Sequence, residues 1–123
     1  MPRSKFEVEL KKKLKACKYE PFKVPYTWEA NYIPDFVPLA DENILIEAKG
    51  RFRTTQEARK YEAVQNTNPE VEVVFVFMNP KAPMPGAQRR KKCGTRMTHA
   101  EWAENHGFRW YTIRTLPEEW CKK

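Results

Sequence analysis

Two short runs do most to confine this chain: Ile44-Leu45-Ile46-Glu47-Ala48-Lys49-Gly50 and, ahead of it, Tyr32-Ile33-Pro34-Asp35-Phe36. Read as two strands of a hairpin joined through Pro38 to Asn43, they bring Asp35 beside Glu47 and Lys49. Side chains alternate across a strand, so Ile44, Ile46 and Ala48 face a core while Glu47 and Lys49 share the opposite, exposed or cleft face. Two carboxylates and an ammonium gathered this way destabilise the fold unless a cation offsets the repulsion. That is the pattern of a site. Pro34 brings no amide proton, so an edge or a strand irregularity is expected directly before Asp35. Irregularities of this kind re-aim side chains beside active sites.

Around this pair the chain alternates helical and extended patterns. Phe6, Leu10, Leu14 and Cys17 form one apolar stripe of a helix from Ser4 to about Cys17, with Lys11, Lys12, Lys13 and Lys15 around the rest of it. Ser4 and Glu7 have the spacing of a capping box, which by itself gives Glu7 a purely structural role. Tyr19 to Trp28, with Pro21 and Pro25, reads as extended and edge-like. Thr54 and Glu57 form a second capping box and open a helix to about Asn66, with Ala58, Tyr61 and Val64 or Gln65 inward. Asn68-Pro69 ends it. Val71 to Met78 is a short β-branched apolar run, hence a buried central strand. The stretch 79–97 is a long loop carrying Arg89, Arg90, Lys91, Lys92 and Arg96, and loops of that length are usually functional. Thr98 and Glu101 start a third helix that stops at Gly107; Phe108 to Ile113 alternates as a last strand; Pro117 opens a short terminal helix with Trp120. The order predicts a single α/β domain, a mixed sheet flanked by helices.

The chain has 123 residues, room for one modest core, and a formal charge of +7 with 13% aromatic residues. Such a balance favours a polyanion, with nucleic acid first. No apolar run approaches the roughly 20 residues that span a bilayer, and no apolar stretch follows the basic N-terminus, so no membrane partner and an intracellular, non-secreted location are expected. Cys17, Cys93 and Cys121 are odd in number and widely spaced, which suggests free thiols. His99 and His106 match no zinc spacing and read as packed or solvated.

Hydrolysis of a phosphodiester requires an activated water, neutralisation of phosphate charge and help for the leaving oxygen. Carboxylate-held divalent cations meet all three needs. Asp35 and Glu47 are the candidate metal ligands, the Ala48 carbonyl a further one, and Lys49 the residue to orient water and stabilise developing charge. Arg51 and Arg53 follow at once in sequence, suited to a phosphate backbone entering the site; the Arg89 to Lys92 cluster, Arg96, Lys12 and Lys13 are further contacts to phosphate.

Pro34-Asp35 followed by Glu47-x-Lys49 resembles the PD-(D/E)xK nuclease signature. More of the chain agrees with one branch of it. Ser4-x-x-Glu7, Lys23-Val24-Pro25-Tyr26, Tyr32-x-Pro34-Asp35-Phe36, Glu47-x-Lys49-Gly50, Asn68-Pro69-Glu70, Glu104-x-His106-Gly107-Phe108 and Pro117-x-Glu119-Trp120 together look like the phage endonuclease I family of Holliday-junction resolvases. The resemblance implies a restriction-endonuclease-like α/β fold in which Glu7 joins Asp35, Glu47 and Lys49 as a catalytic and metal-binding residue. It implies magnesium, replaceable by manganese, at up to two ions per site, and no small-molecule cofactor. An intertwined homodimer that exchanges its N-terminal segment, residues 1–18, is also implied, acting on four-way DNA junctions by paired nicks in the cytoplasm of a phage host. The basic 79–97 loop and the very short N-terminus depart from the family and bear on arm contacts, not on the acid cluster. Three alternatives stand beside it. A restriction or repair nuclease would do the same chemistry on ordinary duplex; a basic DNA-binding module would lack catalysis; a glycosidase using Asp35 and Glu47 would leave Lys49 and the positive charge unexplained.

Overall fold

The computed structural model describes residues 5–25, 31–89 and 94–122. The elements in order are α1 (Lys5–Lys13), β1 (Cys17–Tyr19), β2 (Val24–Pro25), β3 (Asn31–Tyr32), β4 (Phe36–Pro38), β5 (Ile44–Lys49), α2 (Thr55–Thr67), β6 (Glu72–Phe77), α3 (His99–Asn105), β7 (Arg109–Tyr111) and α4 (Glu118–Cys121). Among the described residues they form a five-stranded mixed sheet in the order β1-β4-β5-β6-β7 and a two-stranded ribbon, β2-β3. The β1-β4 and β4-β5 pairs are antiparallel, and β5-β6 and β6-β7 are parallel.

The parallel pairs follow from the chain order, since each is joined through a helix that must cover the sheet. Helices α2 and α3 cover one face, where Leu45, Val73, Phe75 and Phe77 meet Ala58, Tyr61, Val64, Trp102 and Ala103. Helices α1 and α4 cover the other, where Phe36, Ile46, Ala48, Val74 and Val76 meet Phe6, Leu10, Leu14 and Trp120. The result is a three-layer α/β arrangement. The unbroken run from Val71 predicts a buried central strand; β6 is buried and interior, between β5 and the edge strand β7, while β5 holds the middle of the sheet. Val73 to Phe77 are at 0% exposure, and Met78 beyond the end of β6 is exposed at 61%.

Helix ends are set locally. Thr54 caps α2 by accepting from the Glu57 N–H at 3.1 Å. In α3 both halves of the capping box are made, Glu101 N–H to Thr98 at 3.2 Å and Thr98 N–H to Glu101 at 3.0 Å. Gly107 ends α3 at φ 75, where a residue with a Cβ is strained.

Three expectations need correction. The first helix was expected to reach Cys17, but it ends at Lys13. Leu14 closes the last turn onto Leu10, and Cys17–Tyr19 is drawn into pairing with Pro38–Phe36. The run Tyr32 to Phe36 is not one strand: Asn31–Tyr32 pairs with Val24–Pro25, and the main-sheet strand begins only at Phe36. Lastly, the Glu47 face of β5 is not exposed, because the α2 crossover lies over it and leaves Glu47 at 6% exposure. The Ser4–Glu7 capping box and the extended reading of Tyr26 to Trp28 lie outside the described residues. So do Cys93 and the cluster Arg90, Lys91 and Lys92.

Candidate active site

The irregularity at Pro34 has a simple geometric origin. Strand β4 pairs with β5 through Phe36 and Ile46, so continuing that antiparallel register would set Pro34 opposite Ala48. Pro34 offers no N–H, and the ladder stops. Asp35 turns its carboxylate inward instead, and Oδ2 accepts the Ala48 N–H at 2.9 Å. Beside it the Asp35 carbonyl accepts the Glu20 N–H at 2.9 Å, with Glu20 held at φ 45, a rare backbone setting for a residue with a side chain. A proline that breaks a ladder thus places an acid against the strand that carries Glu47.

Glu47 is held on both oxygens. The Tyr32 hydroxyl donates to Oε2 and the Tyr61 hydroxyl to Oε1, each at 2.7 Å. Lys49 Nζ lies 3.8 Å from Oε1. Burial pushes the Glu47 pKa up, against the opposing pull of Lys49 and the two phenols. Burial first, then Glu47, pushes both tyrosines well above their usual range. The Asp35 pKa rises to about 8, through burial first and then the charges of Glu47 and Glu7; the Ala48 amide and Lys49 oppose that rise. Burial, helped at Asp35 by the neighbouring acids, therefore favours a proton or a cation on both groups.

Lys49 points toward a cleft of about 890 Å³. Its walls are Lys5, Phe6 and Glu7 from α1, Ala48 to Arg51 and Arg53 from the end of β5, Glu57 from α2, and Met78 after β6. It lies at the carboxyl ends of two parallel strands, where α/β sheets characteristically bind ligands. Lys49 Nζ is 3.4 Å from Glu57 Oε2 and rests over the rings of Tyr61 and Phe52 at 5.2 and 5.7 Å. Glu7, part-buried, accepts from the Tyr19 hydroxyl at 3.4 Å. Of the candidate site residues, Glu7, Ala48, Lys49, Arg51 and Arg53 line this cleft; Asp35 and Glu47 are buried and do not line it, and they reach it through the Ala48 amide and the Lys49 ammonium. Among the described residues no three His, Cys, Asp or Glu stand grouped to hold a metal ion. The donor chemistry nonetheless suits a hard cation, since Asp35 and Glu47 offer only oxygen and the Glu47 charge helps burial to raise the Asp35 pKa.

The other described basic candidates do not line the cleft. Lys12 and Lys13 are exposed at the end of α1, and Arg89 and Arg96 are exposed and line a separate groove of about 380 Å³ with Lys81. The histidines divide as packed and exposed: His99 is at 0% exposure, and His106 is exposed. Cys17 and Cys121 are free thiols.

Sequence reasoning missed Tyr32 and Tyr61 as partners of Glu47. Tyr61 was legible only as part of the inner face of its helix. A buried tyrosine must place its hydroxyl somewhere, and that was the available signal.

The fold and site together define a three-layer α/β domain with an acid pair and a lysine beside a cleft lined by arginines. The family comparison narrows the class: the family model described as phage endonuclease I matches residues 3–123, and the chain belongs to that family. It is thus a member of an endonuclease family. No curated protein matches the chain.

Proposed function

We propose that the protein is a metal-dependent endodeoxyribonuclease of the PD-(D/E)xK type that resolves four-way DNA junctions by paired nicks. The observation that carries this reading is the coupled acid pair, Asp35 and Glu47, with Lys49 leading from it into a cleft that also holds Glu7, Arg51 and Arg53. Asp35 and Glu47 would hold magnesium, or manganese in its place, with the Ala48 carbonyl and Glu7 as further oxygen donors and up to two ions per site. The ion supplies an acidified water and neutralises phosphate charge.

The chain's own residues do the rest. Asp35 stays fixed because Oδ2 is tied to the Ala48 amide. Tyr32 and Tyr61 hold the Glu47 carboxylate in one orientation, leaving a lone pair on each oxygen for a cation. Lys49, already desolvated against two rings, meets the scissile phosphate and stabilises the charge that develops on it. Arg51 and Arg53 seat the flanking backbone, and Lys12, Lys13, Arg89, Arg96 and the Arg90 to Lys92 cluster grip the arms without reading bases.

Residues 1–123 would form one nuclease domain, active as a homodimer in the cytoplasm of the phage host. Four-way junctions are two-fold objects, and two sites related by two-fold symmetry match them. Helix α1 packs through Phe6 and Leu10, and the chain just after it through Leu14, onto its own sheet, and an exchanged partner segment would make the same contacts. Light scattering should therefore give twice the 14.6 kDa chain mass.

The deciding experiment incubates the protein with an immobile four-way junction and a linear duplex, with and without magnesium, beside Lys49→Ala. Symmetric nicks across the branch point that need both magnesium and Lys49 are the expected result. Equal cutting of linear duplex would identify a general nuclease instead. Junction binding with no cutting under any divalent cation would leave a non-catalytic DNA-binding module.

A further inference from the structure

Helices α2 and α3 each have a threonine N-cap followed by Glu at the third position, and the structure uses the two motifs differently. In α3 Glu101 returns to the Thr98 N–H and completes a reciprocal box. In α2 only half of the box forms. Thr54 accepts from the Glu57 N–H, but the Glu57 carboxylate goes past Thr54: Oε1 accepts the Arg53 N–H at 2.9 Å, and Oε2 lies 3.4 Å from Lys49 Nζ. A glutamate serving only its helix would behave as Glu101 does.

We propose that Glu57 is a positioning residue that sets where the Lys49 ammonium stands in the cleft. Lys49 alone would have a four-carbon stem free to sample several rotamers. Glu57 Oε2 at 3.4 Å and Glu47 Oε1 at 3.8 Å bracket its ammonium, which also stands over the rings of Tyr61 and Phe52. The bond from Arg53 N–H to Glu57 matters equally, because it fixes the backbone of the segment that presents Arg51 and Arg53 to the same cleft. One carboxylate thus registers the lysine against the two arginines. Glu57 is itself part-buried, its side chain at 32% exposure, so solvent screens the pair only partly.

The inference rests on the reading of Lys49 given above, and the test separates the two. Glu57→Gln keeps an oxygen for the Arg53 amide and removes the charge that attracts Lys49. Glu101→Gln is the matched control, a capping change at the other helix. Single-turnover cleavage and junction affinity are measured for both, for Lys49→Ala and for the Lys49→Ala/Glu57→Gln double variant, with melting temperatures alongside. Glu57→Gln should slow cleavage by about 10–100-fold, the range found for partners that orient a reacting group, with junction affinity unchanged or tighter and melting close to that of Glu101→Gln. Glu101→Gln should cut at the wild-type rate. Because Glu57 acts through Lys49, the double variant should be no slower than Lys49→Ala. A wild-type cleavage rate for Glu57→Gln, or a double variant slower than Lys49→Ala, overturns the inference and leaves the role of Lys49 intact. A wild-type rate for Lys49→Ala overturns the site itself.

Discussion

The Glu47 carboxylate shows how single residues carry this site. Two phenols reach it at 2.7 Å from elements far apart in sequence, Tyr32 on β3 and Tyr61 on α2. A hydrogen bond to a charged acceptor contributes about 1.5–3 kcal/mol, so Tyr61→Phe should lower unfolding stability by about that amount in a denaturant titration; an unchanged midpoint would show that the bond contributes nothing. His99 makes a different kind of tie. Its Nε2 accepts the Phe52 N–H at 2.8 Å, Nδ1 donates to the Ala82 carbonyl at 2.7 Å, and the ring stacks on Phe52. The imidazole must be neutral to accept from Phe52, and its pKa is lowered, first by burial. In the unfolded chain the same group takes a proton near pH 6.5. Between the lowered folded value and about 6.5 the unfolded state therefore binds more protons, and its share of stability is present above that window and lost as pH falls through it. Thermal melts from pH 5 to 8 should show this slope, and His99→Gln should flatten it. An identical slope in the variant would place the titration elsewhere.

At the level of elements, what the sequence disclosed depended on how far the determining contact reached. The starts of α2 and α3 at Thr54 and Thr98, and the stop at Gly107, are decided within a few residues and were legible. The burial of β6 on both faces was legible too, because a β-branched run carries no polar alternation, though its place beside the edge strand was not. The Pro34–Asp35 break was foreseen from the missing amide proton alone. The early end of α1 was not, since it depends on Cys17 pairing with Pro38, and the division between β3 and β4 depends on Val24 pairing with Tyr32. The burial of Glu47 depends on where a crossover helix comes to rest, and a period-two pattern cannot report that. Asp35, Glu47 and Lys49 were legible as a candidate cluster because Asp35 directly precedes β4 and the other two lie on its neighbour β5; Glu57 read only as a cap. The element on which all this is hung is β6. Phe75, at 0% exposure, contacts the rings of Phe52, Tyr61, Phe77, Trp102 and Phe108. Phe75→Ala should cost about 3–5 kcal/mol. A loss below 1 kcal/mol would show that the two helices do not depend on this strand for their seating.

For the whole molecule, the two faces of the sheet have distinct duties. The α2/α3 face holds the aromatic core and the tyrosines that grip Glu47, while the α1/α4 face brings Glu7 to the cleft from the other side. Among the described residues no helix is long and apolar enough to cross a membrane. A charge of +7 on 123 residues gives the surface the sign a phosphate backbone requires, yet the acids of the site, where ionised, carry the opposite sign and repel that backbone unless a cation stands between. Binding and cutting should therefore respond in opposite directions when an acid is neutralised. Glu47→Gln keeps the shape of the side chain and an oxygen for the tyrosine hydroxyls. In single-turnover assays on a four-way junction with magnesium, the account predicts that this variant binds as tightly as the wild type or more tightly and cuts about a thousandfold more slowly or worse. Cleavage by Glu47→Gln at the wild-type rate would contradict it.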